Sequence, residues 1–244
     1  MSLPHEEITG VDGLTSAQEL SVRPSIISEV QVGEIARADQ QLVYLLDQRL
    51  EAALAADEQK DQLGMPVLAP RREMAVAAQA CEENNRRGGV LDNPDIYQWY
   101  TNIMHATRKQ QLLARKARGS ITRDEQYILN QVSGTTDPVE GLPTMTTQKI
   151  TDEMDELAAR ELLANIRARI DGLDAEIIGQ LVQRQRVVIA LAGMVSAEQI
   201  LGFIQAERNS MSGSRLDTPD LLNLFSNIIR GMRRRKLDIT EPNA

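Results

Sequence analysis

Cysteine is almost absent from the 244 residues. Cys81 stands alone, so the chain cannot form an internal disulfide, and a reducing, cytoplasmic setting is expected. Histidine is nearly as scarce. His5 and His105 are isolated and offer no zinc-ligand spacing, and no glycine-rich phosphate loop occurs. These gaps leave no metal and no cofactor to be expected. Long apolar runs are missing too. The longest, around Val187–Val195, is far too short for a membrane span, and the first thirty residues lack the core of a signal peptide. Positive charge is in the minority: the net charge is −8 and the pI about 5.0. Nucleic acid and anionic membranes are therefore not expected as partners.

What remains is a helix-forming composition. Hydrophobic residues make up 42% and aromatics only 3%, while Ala, Leu, Gln, Glu and Arg dominate. An all-α fold follows. Residues 1–30 are polar, carry glycine and proline, and read as a flexible tail. A long helix is predicted from about Gln31 to Lys60, with Ile35, Leu42, Leu45, Leu46 and Ala53 at helical spacing. Gly64-Met65-Pro66 ends it. A second helix runs from near Arg71 to just before Gly88-Gly89. A third begins at Asn93-Pro94, a capping residue followed by proline in the first turn, and ends near Arg118. Residues 119–150 form a connector with a short helix over about Ser120–Val132. Beyond it lie a very long helix from about Thr151 to Val195, a shorter one over Ala197–Met211, and a last one from Thr218 to about Leu237.

The pattern of one long and two medium helices thus occurs twice. Leu-Asp-Asn-Pro-Asp-Ile from Leu91 returns as Leu-Asp-Thr-Pro-Asp-Leu from Leu216, and Asn102-Ile103-Met104 returns as Asn227-Ile228-Ile229. This is an internal repeat, residues 31–118 and 151–244, with a loop about ten residues shorter in the second copy.

Two stretches resemble the first helix of the all-helical chorismate mutases. One is Ile35 to Asp39 with Leu45-Leu46-Asp47-Gln48-Arg49 and then Lys60. The other is Ile166-Arg167-Ala168-Arg169-Ile170-Asp171-Gly172-Leu173-Asp174, continuing to Arg184. Pro66-Val67, Arg72-Glu73 and Ile103 to Gln111 extend the resemblance over residues 32–115. It persists over 160–238 mainly as fold. Members of this family are intertwined homodimers that pair two long first helices. The resemblance therefore implies two tandem three-helix chorismate-mutase-like repeats folded as an intertwined pseudo-dimer.

It also implies a reaction. Chorismate becomes prephenate in a cofactor-free Claisen rearrangement. The protein holds a dianion in a compact shape and stabilises charge growing on the ether oxygen. By resemblance Arg49 holds a substrate carboxylate, and Lys60, eleven residues and about three turns later, serves the ether oxygen and a carboxylate. Arg72 and Glu73 match an Arg-Glu pair whose glutamate meets the substrate hydroxyl. Thr107 takes a common serine position, and Gln111 matches the glutamine that donates to the ether oxygen. Two positions depart from the family. Ala69 replaces an acidic residue, and Val32 replaces the arginine that in the homodimers reaches into the partner's site.

The second repeat is complementary in its losses. It keeps the early arginine as Arg167 and the later one as Arg184. The lysine position is Val195, Ala197-Glu198 replaces Arg-Glu, and Met232 and Lys236 replace the threonine and glutamine. If the two repeats pair, Arg167 completes the site of repeat one, and the other site is dead. Beside these stand plainer expectations: core packing for Trp99, Tyr97, Tyr100 and Cys81, a surface position for His105, and helix-end cations for Arg230 to Lys236. A rival activity on the same fold would be isochorismate pyruvate lyase or aminodeoxychorismate mutase. A rival of another class would be a non-catalytic helical module that binds a shikimate-pathway enzyme. A homo-oligomer is also compatible with the sequence.

Overall fold

In a computed structural model, the chain is described over residues 16–192, 214, 219–220 and 223–226. These residues are helical with no strand. In order they form α1 (Ser16–Gln62), α2 (Pro70–Arg86), α3 (Asn93–Arg118), α4 (Arg123–Ser133) and α5 (Glu153–Ala192). Residues 219–220 and 223–226 are helical as well. One boundary differs from the sequence expectation. α1 starts at Ser16, so the second half of the expected 1–30 tail is helix. The helices expected over Ala197–Met211 and for most of Thr218–Leu237 lie outside the described residues.

α1 and α5 pack antiparallel, and small residues let them approach closely. Ala52, Ala53 and Ala56 of α1 meet Ala159, Leu163 and Ile170 of α5 in one buried seam. Two buried ion pairs cross the same interface. Arg49 binds Asp174, and Arg184 binds Asp39. The two arginines are 135 residues apart in sequence, and so are the two aspartates. The contact is thus reciprocal, in the manner of a two-fold interface.

α3 runs parallel to α1 in a fixed register. Thr107 meets Arg49, Gln111 meets Ala53 and Arg115 meets Asp57, each pair 58 residues apart. α2 packs on α3 and α5. The main core joins Leu42, Leu46 and Leu50 of α1, Val76 and Ala80 of α2, Trp99, Tyr100 and Ile103 of α3, Ile177 and Leu181 of α5, and Leu224 with Phe225. The Trp99 indole donates to the Leu224 carbonyl at 3.1 Å.

α4 belongs to the connector yet is tied firmly to the first three helices. Thr122 and Glu125 form a capping box at its start. The other carboxylate oxygen of Glu125 accepts from the Val67 backbone N–H at 3.1 Å and from Arg115 Nη1 at 2.9 Å. Gly64 makes the turn that precedes Val67 possible. Its φ is +68°, and a Cβ there would lie 2.9 Å from the Gln148 backbone nitrogen. No described helix is long and apolar enough to cross a membrane.

Candidate active site

Lys60 sits near the C-terminus of α1, half-buried beneath the 63–69 turn. Its ammonium donates to the Val67 carbonyl at 3.1 Å. Burial pushes the Lys60 pKa down. Asp57 opposes that shift, the positive charges of Arg167 and Arg115 add to it, and Glu73 opposes it. Arg167 of α5 therefore lies close enough to Lys60 to act on its charge, although 107 residues separate them. Among the described residues, neither cation has a carboxylate within ion-pair distance. Two like charges have been brought together, with Asp57 and Glu73 acting on Lys60 from beyond ion-pair distance. Such an arrangement costs energy until an anion arrives.

The other expected residues lie on α1, α2 and α3. Gln111 is buried, and its amide nitrogen donates to the Ala53 carbonyl at 2.8 Å, leaving a second N–H. Thr107 is buried one turn earlier on the same face of α3. At the start of α2, Glu73 accepts from Arg108 Nη2 at 2.5 Å. Arg72, beside it, forms an ion pair with Asp171 of α5, and both side chains are about one-third exposed, 33% and 37%.

Arg49 is placed differently from an open substrate ligand. It is 3% exposed. Nε donates to Asp174 Oδ1 at 2.6 Å, Nη2 reaches Asp174 Oδ2 at 3.4 Å and Met104 Sδ at 3.5 Å, and Nη1 reaches Thr107 at 3.3 Å. Burial works against its charge, but the Asp174 carboxylate outweighs burial and holds the guanidinium protonated. Asp174 thus fixes one edge of Arg49 and leaves the Nη1 edge toward Thr107. Of the repeat-two counterparts, Arg184 is buried on Asp39. Val195, Ala197, Glu198, Met232 and Lys236 lie outside the described residues, as does the side chain of Val32.

Several residues of the site carry no signal in a family pattern. Arg115 is fully buried and bonds Asp57, Glu125, Thr146 and the Met65 carbonyl. It follows Thr107 and Gln111 at successive four-residue steps, so helical periodicity alone would place it on the site face. Arg108, Asp171 and Asp174 could not be picked out that way, because each owes its place to the packing of separate helices. The aromatic expectations divide: Trp99 and Tyr100 are buried core residues, whereas Tyr97 is 48% exposed. His105 is exposed, and Cys81 is intermediate.

Residues 32–112 match the family model for chorismate mutase type II. That segment, 81 of the 244 residues, is similar to this family. It spans the part of α1 that carries Arg49 and Lys60, all of α2, and α3 through Gln111. The match covers about one third of the chain and likens that part to chorismate mutases, which are isomerases acting on a small molecule. The connector, α4 and α5 fall outside the matched segment. No curated protein and no solved structure matches the chain significantly.

Proposed function

We propose that this chain is a chorismate mutase with one working site, built on repeat one (31–118) and completed by Arg167 from repeat two (151–244) across an intrachain pseudo-dimer. The observation that carries this reading is the pair of cations, Lys60 and Arg167, that neighbour each other without a carboxylate partner among the described residues. The reciprocal ion pairs of Arg49 with Asp174 and Arg184 with Asp39 support the pairing of the two repeats.

The mechanism follows from charge. Chorismate enters as a dianion, and Arg167 and Arg72 take its carboxylates with planar guanidinium forks. Arg49 adds the Nη1 edge beside Thr107. Lys60 has spent one of its three N–H donors on Val67, so it keeps donors for a carboxylate and the ether oxygen. Gln111 keeps a second amide hydrogen for that same oxygen. Glu73, ion-paired with Arg108, accepts from the substrate hydroxyl. No proton leaves and no covalent intermediate forms. The ring and side chain are held within bonding reach, the C–O bond breaks as the C–C bond forms, and Lys60 with Gln111 stabilises the charge that grows on the oxygen. A half-buried ammonium does this better than an exposed one, because less water screens it.

Steady-state assays of the purified chain on chorismate, isochorismate and aminodeoxychorismate test the reading. Prephenate should form from chorismate, and Lys60→Ala should abolish turnover while the helical circular-dichroism signal persists. Lack of prephenate from wild-type protein would reject it.

A further inference from the structure

Arg72 already has an anion. Its Nη2 donates to Asp171 Oδ1, and the pair is only about two-thirds covered, at 33% and 37% exposure. Asp171 lies one turn after Arg167 on α5 and one turn before Asp174. The two aspartates of this turn play different parts. Asp174 has an equivalent 135 residues earlier in Asp39, and both are buried on arginines that are themselves equivalent. Asp171 has no such equivalent, because the residue 135 earlier is Ala36. The buried aspartates are thus a shared feature of the helix interface. Asp171 is an acid added on one side only, paired with the partly exposed Arg72.

We propose that Asp171 is a specificity-determining gate: its carboxylate competes for Arg72, and only a ligand whose own carboxylate displaces it gains entry. This rests on the reading of the cleft as a dianion site. The physical case is competition. Arg72 cannot hold two carboxylates on the same donor edge, so a substrate carboxylate must expel Asp171 and then lie beside it. A monoanion that engages Lys60 and Arg167 alone leaves the gate shut. A dianion supplies the second carboxylate and opens it. Asp171 also adds negative charge next to the pocket, which weakens every anion's approach until Arg72 changes partner. Partial exposure keeps the exchange easy, since a partly solvated ion pair is weakly held. The neighbouring pair of Arg49 and Asp174, at 3% and 8% exposure, is fixed instead.

The test compares wild type with Asp171→Asn, which keeps the shape and removes the charge, and with Asp171→Ser. Two quantities are read: the KM for chorismate, and the calorimetric Kd of an oxabicyclic dicarboxylate that mimics the transition state. Both should fall about threefold to fivefold in each variant, the scale of a partly exposed ion pair. Unchanged or weaker binding in variants of wild-type helicity would overturn the gate and leave Asp171 as a brace for Arg72. The two readings fail separately. If no variant makes prephenate but removal of the Asp171 charge still tightens the dicarboxylate, the reaction is misassigned and the gate stands.

Discussion

Arg167 of α5 lies near enough to Lys60 of α1 for its positive charge to lower the lysine's pKa, and neither residue has a carboxylate partner among the described residues. Two cations 107 positions apart in sequence are therefore brought near each other. The antiparallel seam of small residues brings them there: Ala52, Ala53 and Ala56 permit a close approach at the level where Arg167 crosses α1.

The first prediction concerns pH. Lys60 must carry its proton to bind the dianion and donate to the ether oxygen. Burial and the nearby arginines lower its pKa, so the free enzyme loses that proton earlier on the alkaline side than an ordinary lysine, whose pKa is about 10.4. The kcat/KM profile should fall with an alkaline midpoint below that value. The limb of kcat should lie higher, because bound substrate restores negative charge beside the ammonium. Removing the positive charge at Arg167 should raise the kcat/KM midpoint. Coincident midpoints at the ordinary lysine value would count against a buried, cation-flanked Lys60.

The second prediction concerns the helix interface. Arg184→Met strips the guanidinium from the buried Asp39 carboxylate. Leaving a buried charge uncompensated should cost about 3–5 kcal/mol in urea unfolding. Arg184→Met combined with Asp39→Leu should recover most of that loss, since apolar replacement of both partners removes the stranded charge. Equal instability in the single and double variants would mean that the pair contributes nothing beyond packing.

The third prediction concerns α4, which lies outside the family segment. Glu125 accepts from the Thr122, Val67 and Arg115 donors at once, and the Val67 carbonyl in turn receives the Lys60 ammonium. Glu125→Ala should cost about 2–4 kcal/mol, from a lost cap and orphaned buried donors. It should also lower kcat at temperatures where the variant is fully folded, because the turn that seats Lys60 is released. A stability loss with unchanged kcat would make α4 a structural prop alone.

Much of this architecture was legible in the residues. Asn93-Pro94 marked the start of α3 and the break at Gly64-Met65-Pro66 the end of α1. These signals are local, since a cap or a broken periodicity acts within one helical turn. The start of α1 at Ser16 was not legible: residues 16–30 carry Pro24 and few apolar positions, and no local cap outweighed those signals. Lys60, Gln111 and Thr107 are assigned through the family resemblance, and spacing alone puts only Thr107 and Gln111 on one face of α3 and Arg49 and Lys60 on one face of α1. The partners of Arg49 and Arg72 could not be placed either way. Asp174 and Asp171 sit on a helix more than a hundred residues away in sequence from Arg49 and about a hundred from Arg72. Which charges meet there depends on the register of two long helices.

The most direct measurement of the central claim is the steady-state kinetics of Arg167→Ala on chorismate. The account predicts a loss of about a hundredfold in kcat/KM, corresponding to about 3 kcal/mol for a missing partner to a substrate carboxylate, with helicity unchanged. Kinetics equal to wild type would contradict it, since Arg167 would then lie outside the working site and repeat one would act without its partner.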